Sequence, residues 1–514
     1  MGTIGSRGAM AGAALPRDAA TPGLIADLVA PLCWTAIGVG IACRLFAGID
    51  APLWFDETFS AAIASQDGAG AVRWMLQELS GPAYYSLLFL WQHIAGDGNV
   101  MLRLPSLLFS IATPLLILWK GHPDRQVRMV WAALIALSIM AFDTATQARP
   151  YALLLLLVAA QAIAFLRLID RPTVARASVW TGLSALAVLT HYHAAILCGI
   201  QGIAYLAICR GRALRTWPAL APLLPMAAWM AVHIPFHLSY ASKDTVWYDV
   251  LGPDALWLAP SLIAGLPWVG AVLIAGLGGS LGYDLVQTLR GRSRWPYRAG
   301  ETALAASGWL ALALVMGMGF VAPSFSVRYV LPFIPALLAG IALWVRRMGT
   351  RGPLIAAPLL AVMIAAAATQ LIGYIRDPQA DFRYAYNLEQ PSGWIAAQGA
   401  ERLIFFWDNP AAALPDPDGN MAKIGGYFFA RAGRPVVVTA PPWRRGDDPN
   451  RLLPALAGEA PGTAILWAYD AGVRGTLGRT HPWAIPRRDA RWLCRDFGRQ
   501  PITVLACVKR ARHG

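Results

Sequence analysis

Two adjacent carboxylates, Asp56 and Glu57, are the residues of this chain best suited to acid–base chemistry. They follow residues 28–43, an uncharged run with most of the length of a transmembrane helix. The pair therefore lies where the chain first emerges on the far side of a bilayer. An ionised carboxylate there could take the proton of a hydroxyl acceptor that meets a lipid-borne donor. The alternative interpretation is a solvated loop acid near a membrane surface.

Four later turns on the same predicted side of the membrane also carry polar residues, which are costly near a bilayer and therefore candidates for function. They are Asp143, Gln147, Arg149 and Tyr151; His191, Tyr192 and His193; Lys243, Asp244, Trp247 and Tyr248; and Arg328 and Tyr329. Cations can bind a phosphate and stabilise it as a leaving group while a carboxylate acts as the base. The combined set suits transfer from a lipid phosphate. Taken singly, each arginine is explained equally well by a contact with phospholipid headgroups.

The histidines and aromatic residues of these turns also have simpler explanations. His191 and His193 are spaced as H-x-H, but no adjacent Cys or third ligand supports a divalent metal, and we expect no cofactor. Trp54, Tyr84 and Tyr85 fit an aromatic belt at the membrane interface better than a platform for a sugar ring.

The composition excludes a mainly soluble protein, because 57% of the 514 residues are hydrophobic and only 14% are charged. After the first run, ten further uncharged runs bring the predicted number of transmembrane helices to eleven: 104–119, 129–142, 150–166, 177–190, 194–209, 216–236, 255–283, 302–327, 329–345 and 353–375. The segment 82–95 is too short to span easily and is predicted to lie in the interface. Residues 24–375 are therefore predicted to form the transmembrane domain of a polytopic α-helical membrane protein.

The net charge of +14 could indicate a nucleic-acid partner, but its distribution argues against one. The basic clusters fall in alternate loops on one side of the membrane: Lys120, Arg125 and Arg128; Arg167, Arg171 and Arg176; Arg210, Arg212 and Arg215; Arg290, Arg292, Arg294 and Arg298; and Arg346, Arg347 and Arg351. The positive-inside rule makes that side cytoplasmic. Asp56 and Glu57 then face the periplasm or the exterior, and residues 1–23 form a cytoplasmic tail.

The character of the sequence changes after residue 375, where Pro, Gly and charged residues become frequent. Short apolar runs at 402–407, 435–440, 463–469 and 502–508 alternate with helical stretches at 382–398 and 449–458. This rhythm predicts a small extracytoplasmic α/β domain over residues 376–514. Cys494 and Cys507 could flank a hairpin in this domain and form a disulfide, an outcome that the sequence leaves open.

Six short motifs, in this order along the chain, resemble a known family. They are Leu53-Trp54-Phe55-Asp56-Glu57, Gly81-Pro82-Ala83-Tyr84-Tyr85, Arg103-Leu104-Pro105-Ser106, Ala148-Arg149-Pro150-Tyr151-Ala152-Leu153, His191-Tyr192-His193 and Arg328-Tyr329-Val330-Leu331-Pro332. The sequence resembles the polytopic GT-C glycosyltransferases. The most similar branch is the bacterial one related to protein O-mannosyltransferases and to the aminoarabinose and galacturonic acid transferases of lipid A and lipopolysaccharide core.

The resemblance implies an inverting glycosyltransferase of the bacterial inner membrane that uses a polyprenyl-phosphate-linked sugar on the periplasmic side. Asp56 would be the general base and Glu57 its catalytic partner. The donor phosphate would be bound by Arg149, Arg328, Tyr329, His191, His193 and Lys243, and the acceptor and donor pocket would include Trp54, Tyr84, Tyr85 and Tyr151. Relatives often carry a His just before the Pro-Pro-hydrophobic-Tyr-Tyr segment, where this chain has Ser80-Gly81-Pro82. That departure leaves a metal or donor contact at this point, and the sugar itself, unassigned.

The predicted partners are the donor, a glycolipid or protein acceptor such as lipopolysaccharide, and membrane lipids. A flippase or transporter of a polyprenyl-linked sugar is the main alternative. It should show inverted repeats or broken helices near the midplane of the membrane. No repeat is evident, and the polar groups cluster at one face, which favours an enzyme.

Overall fold

The computed structural model describes residues 24–241, 250–409, 412, 416–441, 456–470, 485, 489–499 and 501–511. Several predictions fall outside the described residues: the tail 1–23, Lys243, Asp244, Trp247 and Tyr248, and most of the helix 449–458.

The chain begins with one long helix and three short ones: α1 (Leu24–Phe46), α2 (Phe55–Ala64), α3 (Gly68–Met75) and α4 (Pro82–Ala95). The helices α5 (Asn99–Lys120), α6 (Arg125–Leu137), α7 (Ile139–Asp143), α8 (Tyr151–Asp170), α9 (Val174–Thr190) and α10 (Ala194–Cys209) follow. The helical part then continues through α11 (Gly211–Leu214), α12 (Leu224–Ala241), α13 (Leu258–Ala264), α14 (Pro267–Leu289), α15 (Ala299–Val321), α16 (Ile334–Arg347) and α17 (Gly352–Arg376). Short 3₁₀ segments at Trp217–Leu223 and Val327–Phe333 lead into α12 and α16.

Eight helical segments among the described residues are long and apolar enough to cross a membrane. They are Asp27–Phe46, Asn99–Lys120, Tyr151–Asp170, Trp217–Ser239, Pro267–Leu289, Ala299–Val321, Val327–Arg347 and Gly349–Arg376, and Val174–Thr190 and Ala194–Cys209 are shorter apolar helices. Most residues of the segment Val327–Arg347 are buried within the protein, whereas few residues of Trp217–Ser239 are. We conclude that α16 lies at the centre of the bundle and that α12 lies at its lipid-facing edge. The chain is a multi-pass membrane protein.

Two of the predicted single crossings are interrupted in the structure. Ser138 leaves the helical conformation and separates α6 from α7, within the predicted run 129–142. Gly265 has a φ of +75° and ends α13, and Pro267 then starts α14 in its first turn. The predicted crossing 255–283 is therefore wrong at its start, because hydropathy does not register a left-handed glycine followed by a proline.

The segment that carries Asp56 and Glu57 is a helix rather than the predicted loop. Helix α2 begins at Phe55, so both carboxylates lie in its first turn, where the helix dipole favours negative charge. Glu57 also closes a capping interaction, because its Oε2 accepts a hydrogen bond from the Trp54 backbone N–H at 3.1 Å. Helix α4 has the bounds predicted for the interfacial segment.

The C-terminal part forms a mixed α/β unit of helices α18 (Phe382–Ala385), α19 (Glu389–Ala397) and α20 (Asn420–Arg431) and strands β1 (Arg402–Asp408), β2 (Val437–Thr439), β3 (Thr463–Asp470), β4 (Trp492–Asp496) and β5 (Ile502–Lys509). The strand order is β2-β1-β3-β5-β4, with β1 parallel to both β2 and β3, and β5 antiparallel to both β3 and β4. Strand β4 was not predicted, and the predicted helix 382–398 is two helices. Cys494 and Cys507 are paired across β4 and β5 in a disulfide.

The α/β unit packs directly against helix α2. Phe55 stacks on Tyr386 with ring centroids 5.2 Å apart and also contacts Trp407 at 5.0 Å. The backbone N–H of Phe55 donates to the Tyr386 carbonyl at 3.0 Å, and Trp54 forms an isolated antiparallel bridge with Asn387. The start of α2 is therefore fixed from the C-terminal side as well as from the membrane helices.

Candidate active site

Glu57 is fully buried and forms an ion pair with Arg103, which is also fully buried. The guanidinium donates from Nε to Glu57 Oε1 at 2.8 Å and from Nη2 to Oε2 at 2.5 Å. The Ala148 backbone N–H donates to Oε1 at 2.7 Å. Both carboxylate oxygens of Glu57 thus accept hydrogen bonds from protein groups. Glu57 is therefore suited to position the neighbouring elements rather than to contact a substrate.

Arg103 also fixes the connection between α1 and α2. Its Nη1 donates to the carbonyls of Ile49, at 3.1 Å, and Ala51, and its Nη2 donates to the carbonyl of Pro52 at 2.8 Å. A buried guanidinium can satisfy this many acceptors because it carries five N–H donors in a fixed plane. The sequence offered Arg103 only as part of a motif, and its role in positioning the carboxylates was not predicted.

Asp56 has the opposite environment, because 25% of its side chain is exposed. Arg328 Nη1 donates to Asp56 Oδ2 at 2.9 Å, and Arg149 Nη2 lies 4.0 Å from the same oxygen. The two arginines come from different turns, before α8 and before α16. The structure thus brings together the acid and the two cations that the sequence placed at separate outward turns.

Arg149 is buried beneath Asp56 and binds the backbone of α2. Its Nη1 donates to the Asp56 carbonyl at 3.2 Å and to Ser60 Oγ at 3.3 Å. Its Nη2 lies 3.8 Å from Glu78 Oε1. Burial raises the pKa of Glu78 above its ordinary value, with Arg149 opposing the shift and Asp56 adding to it. Glu78 and Ser60 were not predicted, although Glu78 precedes the Gly81-Pro82 motif by only three residues.

Aromatic and imidazole rings form one wall beside Arg328. Tyr151 Oη accepts a hydrogen bond from Arg328 Nη1 at 3.1 Å, and the Tyr151 ring lies 6.0 Å from that of His191. The ring of His193 stacks on Tyr329 with centroids 4.0 Å apart. All four predicted rings therefore belong to the same site as Asp56.

The two histidines of this wall are neutral near pH 7. Burial, assisted by His193 and Arg328, lowers the pKa of His191 well below its ordinary value. Burial and the nearby His237 lower the pKa of His193 to about 4. Each ring can therefore donate or accept a hydrogen bond, but neither adds a positive charge for a phosphate.

A second imidazole pair extends the wall along α12. Tyr192 Oη is 2.5 Å from His233 Nδ1 and accepts a hydrogen bond from Trp229 Nε1 at 2.9 Å. The rings of His233 and His237 lie 4.7 Å apart. The i, i+4 spacing of these histidines on an apolar helix was a signal that could have revealed them. Among the described residues, no three His, Cys, Asp or Glu side chains are grouped to hold a metal ion.

The remaining predicted pocket residues, Trp54, Tyr84 and Tyr85, are buried. Tyr84 and Tyr85 are fully buried on α4, and Tyr84 Oη pairs with Ser106 Oγ at 3.2 Å. Trp54 packs edge-on against Phe382 at 5.3 Å, towards the α/β unit. These buried positions favour packing roles.

Gly81 is required by a close approach of backbones at the start of α4. A Cβ atom there would lie 1.9 Å from the carbonyl oxygen of Leu189, two residues before His191. No side chain fits at this position unless the two backbones move apart. The last turn of α9, which leads into His191, can therefore approach the start of α4.

No family model matches the sequence, and no curated protein matches it. Among solved structures, the crystal structure of ArnT from Cupriavidus metallidurans in the apo state is similar with a TM-score of 0.53 and 12% sequence identity, over 94% of this chain and 98% of that chain. The structure of ArnT from the same organism bound to undecaprenyl phosphate has a TM-score of 0.48, with the same identity and coverage. ArnT is a GT-C glycosyltransferase.

The chain has the GT-C fold. The similarity covers the helical bundle and the C-terminal unit together, because it extends over 94% of the chain. It confirms the predicted fold class, a helical membrane protein with a small C-terminal sheet domain.

Proposed function

We propose that this chain is a membrane glycosyltransferase that moves a sugar from a polyprenyl-phosphate donor to a hydroxyl acceptor, with Asp56 as the general base. The observation that carries the proposal is the placement of a partly exposed Asp56 between Arg149 and Arg328, on a GT-C fold. The same helical turn presents one buried and one accessible carboxylate, and only the accessible one can meet a substrate.

The arginines supply what a phosphate leaving group needs. As the acceptor oxygen attacks the anomeric carbon, the bond from that carbon to the phosphate oxygen breaks and polyprenyl phosphate departs as an anion. Fixed guanidinium groups stabilise that developing charge without a metal or an acid catalyst. A single displacement of this kind inverts the configuration at the anomeric carbon.

Asp56 takes the acceptor proton in the same step. Its Oδ2 is bound by Arg328 in this structure, so the donor phosphate must compete for that guanidinium. Transfer of Arg328 to the phosphate would release the carboxylate towards the acceptor hydroxyl. Tyr329, His191 and His193 line the adjoining wall and stay predicted ligands of the donor phosphate, because a neutral imidazole or phenol can donate a hydrogen bond to it. Tyr151 stays a predicted residue of the acceptor and donor pocket. Lys243 stays a predicted phosphate ligand outside the described residues.

The orientation of the protein follows from its charge. We place the active site on the periplasmic face of the inner membrane, because the arginine clusters mark the opposite side as cytoplasmic. A lipopolysaccharide, another lipid or a protein would be the acceptor there, and the polyprenyl chain would lie among the lipid-facing helices.

The test is transfer by the purified protein in detergent, with radiolabelled polyprenyl-phosphate sugars as donors and a lipopolysaccharide extract as acceptor. Asp56→Asn is compared with Asp254→Asn, which removes an exposed acid from a later outward loop. We expect product from the wild type and from Asp254→Asn but not from Asp56→Asn. If intact donor moved across the membrane of proteoliposomes and no donor gave product, the protein would be a flippase and not an enzyme.

A further inference from the structure

A cavity of about 270 Å³ lies at the end of the helix bundle opposite Asp56. Helix α8 connects the two ends: Tyr151 at its start belongs to the candidate active site, and Asp170 at its end lines the cavity. Its 20 residues span about 30 Å. The cavity is therefore a separate site, far from the predicted chemistry.

The walls of the cavity are held by buried polar contacts. His122 and Glu301 are both buried and line it, with His122 Nε2 3.0 Å from Glu301 Oε1. The backbone N–H of Asp124 donates to His122 Nδ1 at 3.0 Å, and Arg128 Nη1 donates to the carbonyl of Pro123 at 3.2 Å. The loop between α5 and α6 is thus fixed around the opening, which distinguishes this place from a general basic surface.

The side chains that line the cavity carry a net positive charge. Four cations line it, namely Lys120, Arg128, Arg167 and Arg298, against the acids Asp170 and Glu301. The charge of Glu301 is balanced from outside, because Arg346, which does not line the cavity, donates to Oε1 at 3.0 Å and to Oε2 at 2.8 Å. This leaves four cations facing one carboxylate, that of Asp170.

One side of the cavity is apolar and open to the lipid. Trp119 is 72% exposed, and the ammonium of Lys120 lies 4.1 Å from the centre of its ring. The half-buried Leu166 and the buried Ile163 also line the cavity. Tryptophan and lysine together at the end of a spanning helix are typical of the headgroup level of a bilayer. A ligand with both an anionic group and an apolar tail matches this arrangement better than a soluble anion.

We propose that this cavity is a binding site for the phosphate headgroup of an anionic phospholipid. Arg167 and Arg298 would contact the phosphate through their guanidinium groups, Lys120 would add charge, and the acyl chains would lie along Trp119 and Leu166. The site would fix the cytoplasmic end of the bundle to the bilayer, independently of the reaction at Asp56.

The experiment is lipid binding by the intact protein in nanodiscs that contain either phosphatidylglycerol or phosphatidylcholine, followed by native mass spectrometry. The double variant Arg167→Gln/Arg298→Gln is compared with Arg292→Gln/Arg294→Gln, which removes the same charge from exposed positions on the same face but outside the cavity. We expect retained phosphatidylglycerol on the wild type and the control, and at least a tenfold loss of its affinity in the cavity variant.

A charge-preserving variant separates loss of binding from loss of folding. Arg167→Lys/Arg298→Lys should retain most of the bound phosphatidylglycerol. Equal losses of phosphatidylglycerol in both glutamine double variants would show that the lipid is attracted by the surface charge in general, and would overturn the proposal. Failure of the wild type to prefer phosphatidylglycerol to phosphatidylcholine would also overturn it. If glycerol 3-phosphate alone displaced the lipid, the cavity would bind the phosphate of a soluble metabolite, and the assignment to a phospholipid would be wrong.

Discussion

Among single residues, the adjacent carboxylates Asp56 and Glu57 have different roles because their surroundings differ. Glu57 is enclosed by Arg103 and two backbone N–H groups, whereas Asp56 faces an opening between two arginines. Position in the first turn of α2 explains the division, because successive residues of a helix point about 100° apart and only one of them can face the opening. We therefore assign Glu57 a positioning role.

The first prediction concerns Glu57. Glu57→Ala leaves Arg103 buried without its carboxylate and should lower the free energy of unfolding by about 3–5 kcal/mol. Asp56→Ala should change it by less than about 1 kcal/mol, since its ion pair is partly exposed. Thermal unfolding of both variants in the same detergent measures the difference. Equal stability of the two variants would contradict the distinction between them.

The second prediction follows from His193, whose pKa is lowered by burial from 6.5 to about 4. Between these values the unfolded chain binds a proton that the folded chain does not, so stability should fall as the pH is lowered from 6.5 to 4. The effect of this one group is at most about 3 kcal/mol.

His193→Gln should reduce that pH dependence, and the exposed His93→Gln should not. Thermal midpoints measured across the same pH range provide the comparison. An identical pH dependence in the wild type and in His193→Gln would show that the ring titrates normally.

The sequence predicts which residues lie at the candidate site better than it predicts the role of each one. Apolar runs end where polar side chains begin, so Asp56, Arg149, His191 and Arg328 were recognisable from their positions alone. The role of Arg103 was hidden, because a buried ion pair with Glu57 depends on a packing contact between α2 and α5. Glu78 was equally hidden, since nothing in the sequence shows that its turn folds beneath Arg149.

Among the helices, the site depends on the close contact between the start of α4 and the last turn of α9, which leads into His191. Gly81→Ala would place a Cβ atom 1.9 Å from the Leu189 carbonyl oxygen, so the two elements must move apart. We expect a loss of about 1–3 kcal/mol of stability and lower turnover, because His191 moves with that turn.

Gly98→Ala is the matched control for this prediction, since its Cβ would meet no atom within 4 Å and it also precedes a helix. Thermal unfolding and transfer rates of the two variants should therefore differ. Unchanged turnover in Gly81→Ala would show that the contact does not position the site.

The observed helix boundaries agree with the predicted ones where hydropathy determines them. They differ from the predicted ones where backbone geometry determines them. Helix α4 has the predicted bounds because Gly81 and Pro82 start it and Gly96 ends it. The break between α13 and α14 depends on a left-handed Gly265, which does not interrupt an apolar run. The sequence predicts a loop at α2 because the apolar face of this helix is short. That face packs on α4 and on the C-terminal unit rather than on lipid.

At the scale of the whole molecule, the α/β unit braces the helix that carries Asp56. Phe55 is enclosed by Tyr386 and Trp407, and Trp407 Nε1 donates to Tyr386 Oη at 3.3 Å. The arrangement gives the C-terminal unit a function that its sequence did not reveal. Charge and hydropathy predicted its existence but not its contact, because the contact depends on aromatic residues far apart in the chain.

The whole-molecule prediction tests this brace. Trp407→Ala should lower turnover by about tenfold, because α2 and Asp56 lose support. Donor binding should stay near that of the wild type, because Arg328 also donates to Tyr151 and Arg149 also contacts Glu78. Trp394→Ala, which removes an aromatic contact with Phe497 inside the unit, should change turnover less. Equal effects of the two variants would mean that the unit matters only for stability.

Separate measurements of donor binding and turnover in Asp56→Asn and Arg328→Gln show whether Asp56 is the general base. Asp56→Asn should bind the polyprenyl-phosphate sugar at least as well as the wild type, because the phosphate no longer competes with a carboxylate for Arg328, and it should lose at least about 100-fold in turnover, as expected for a general base. Arg328→Gln should weaken donor binding as well. Turnover of Asp56→Asn within about tenfold of the wild type would contradict the account, because the proton would then have another acceptor.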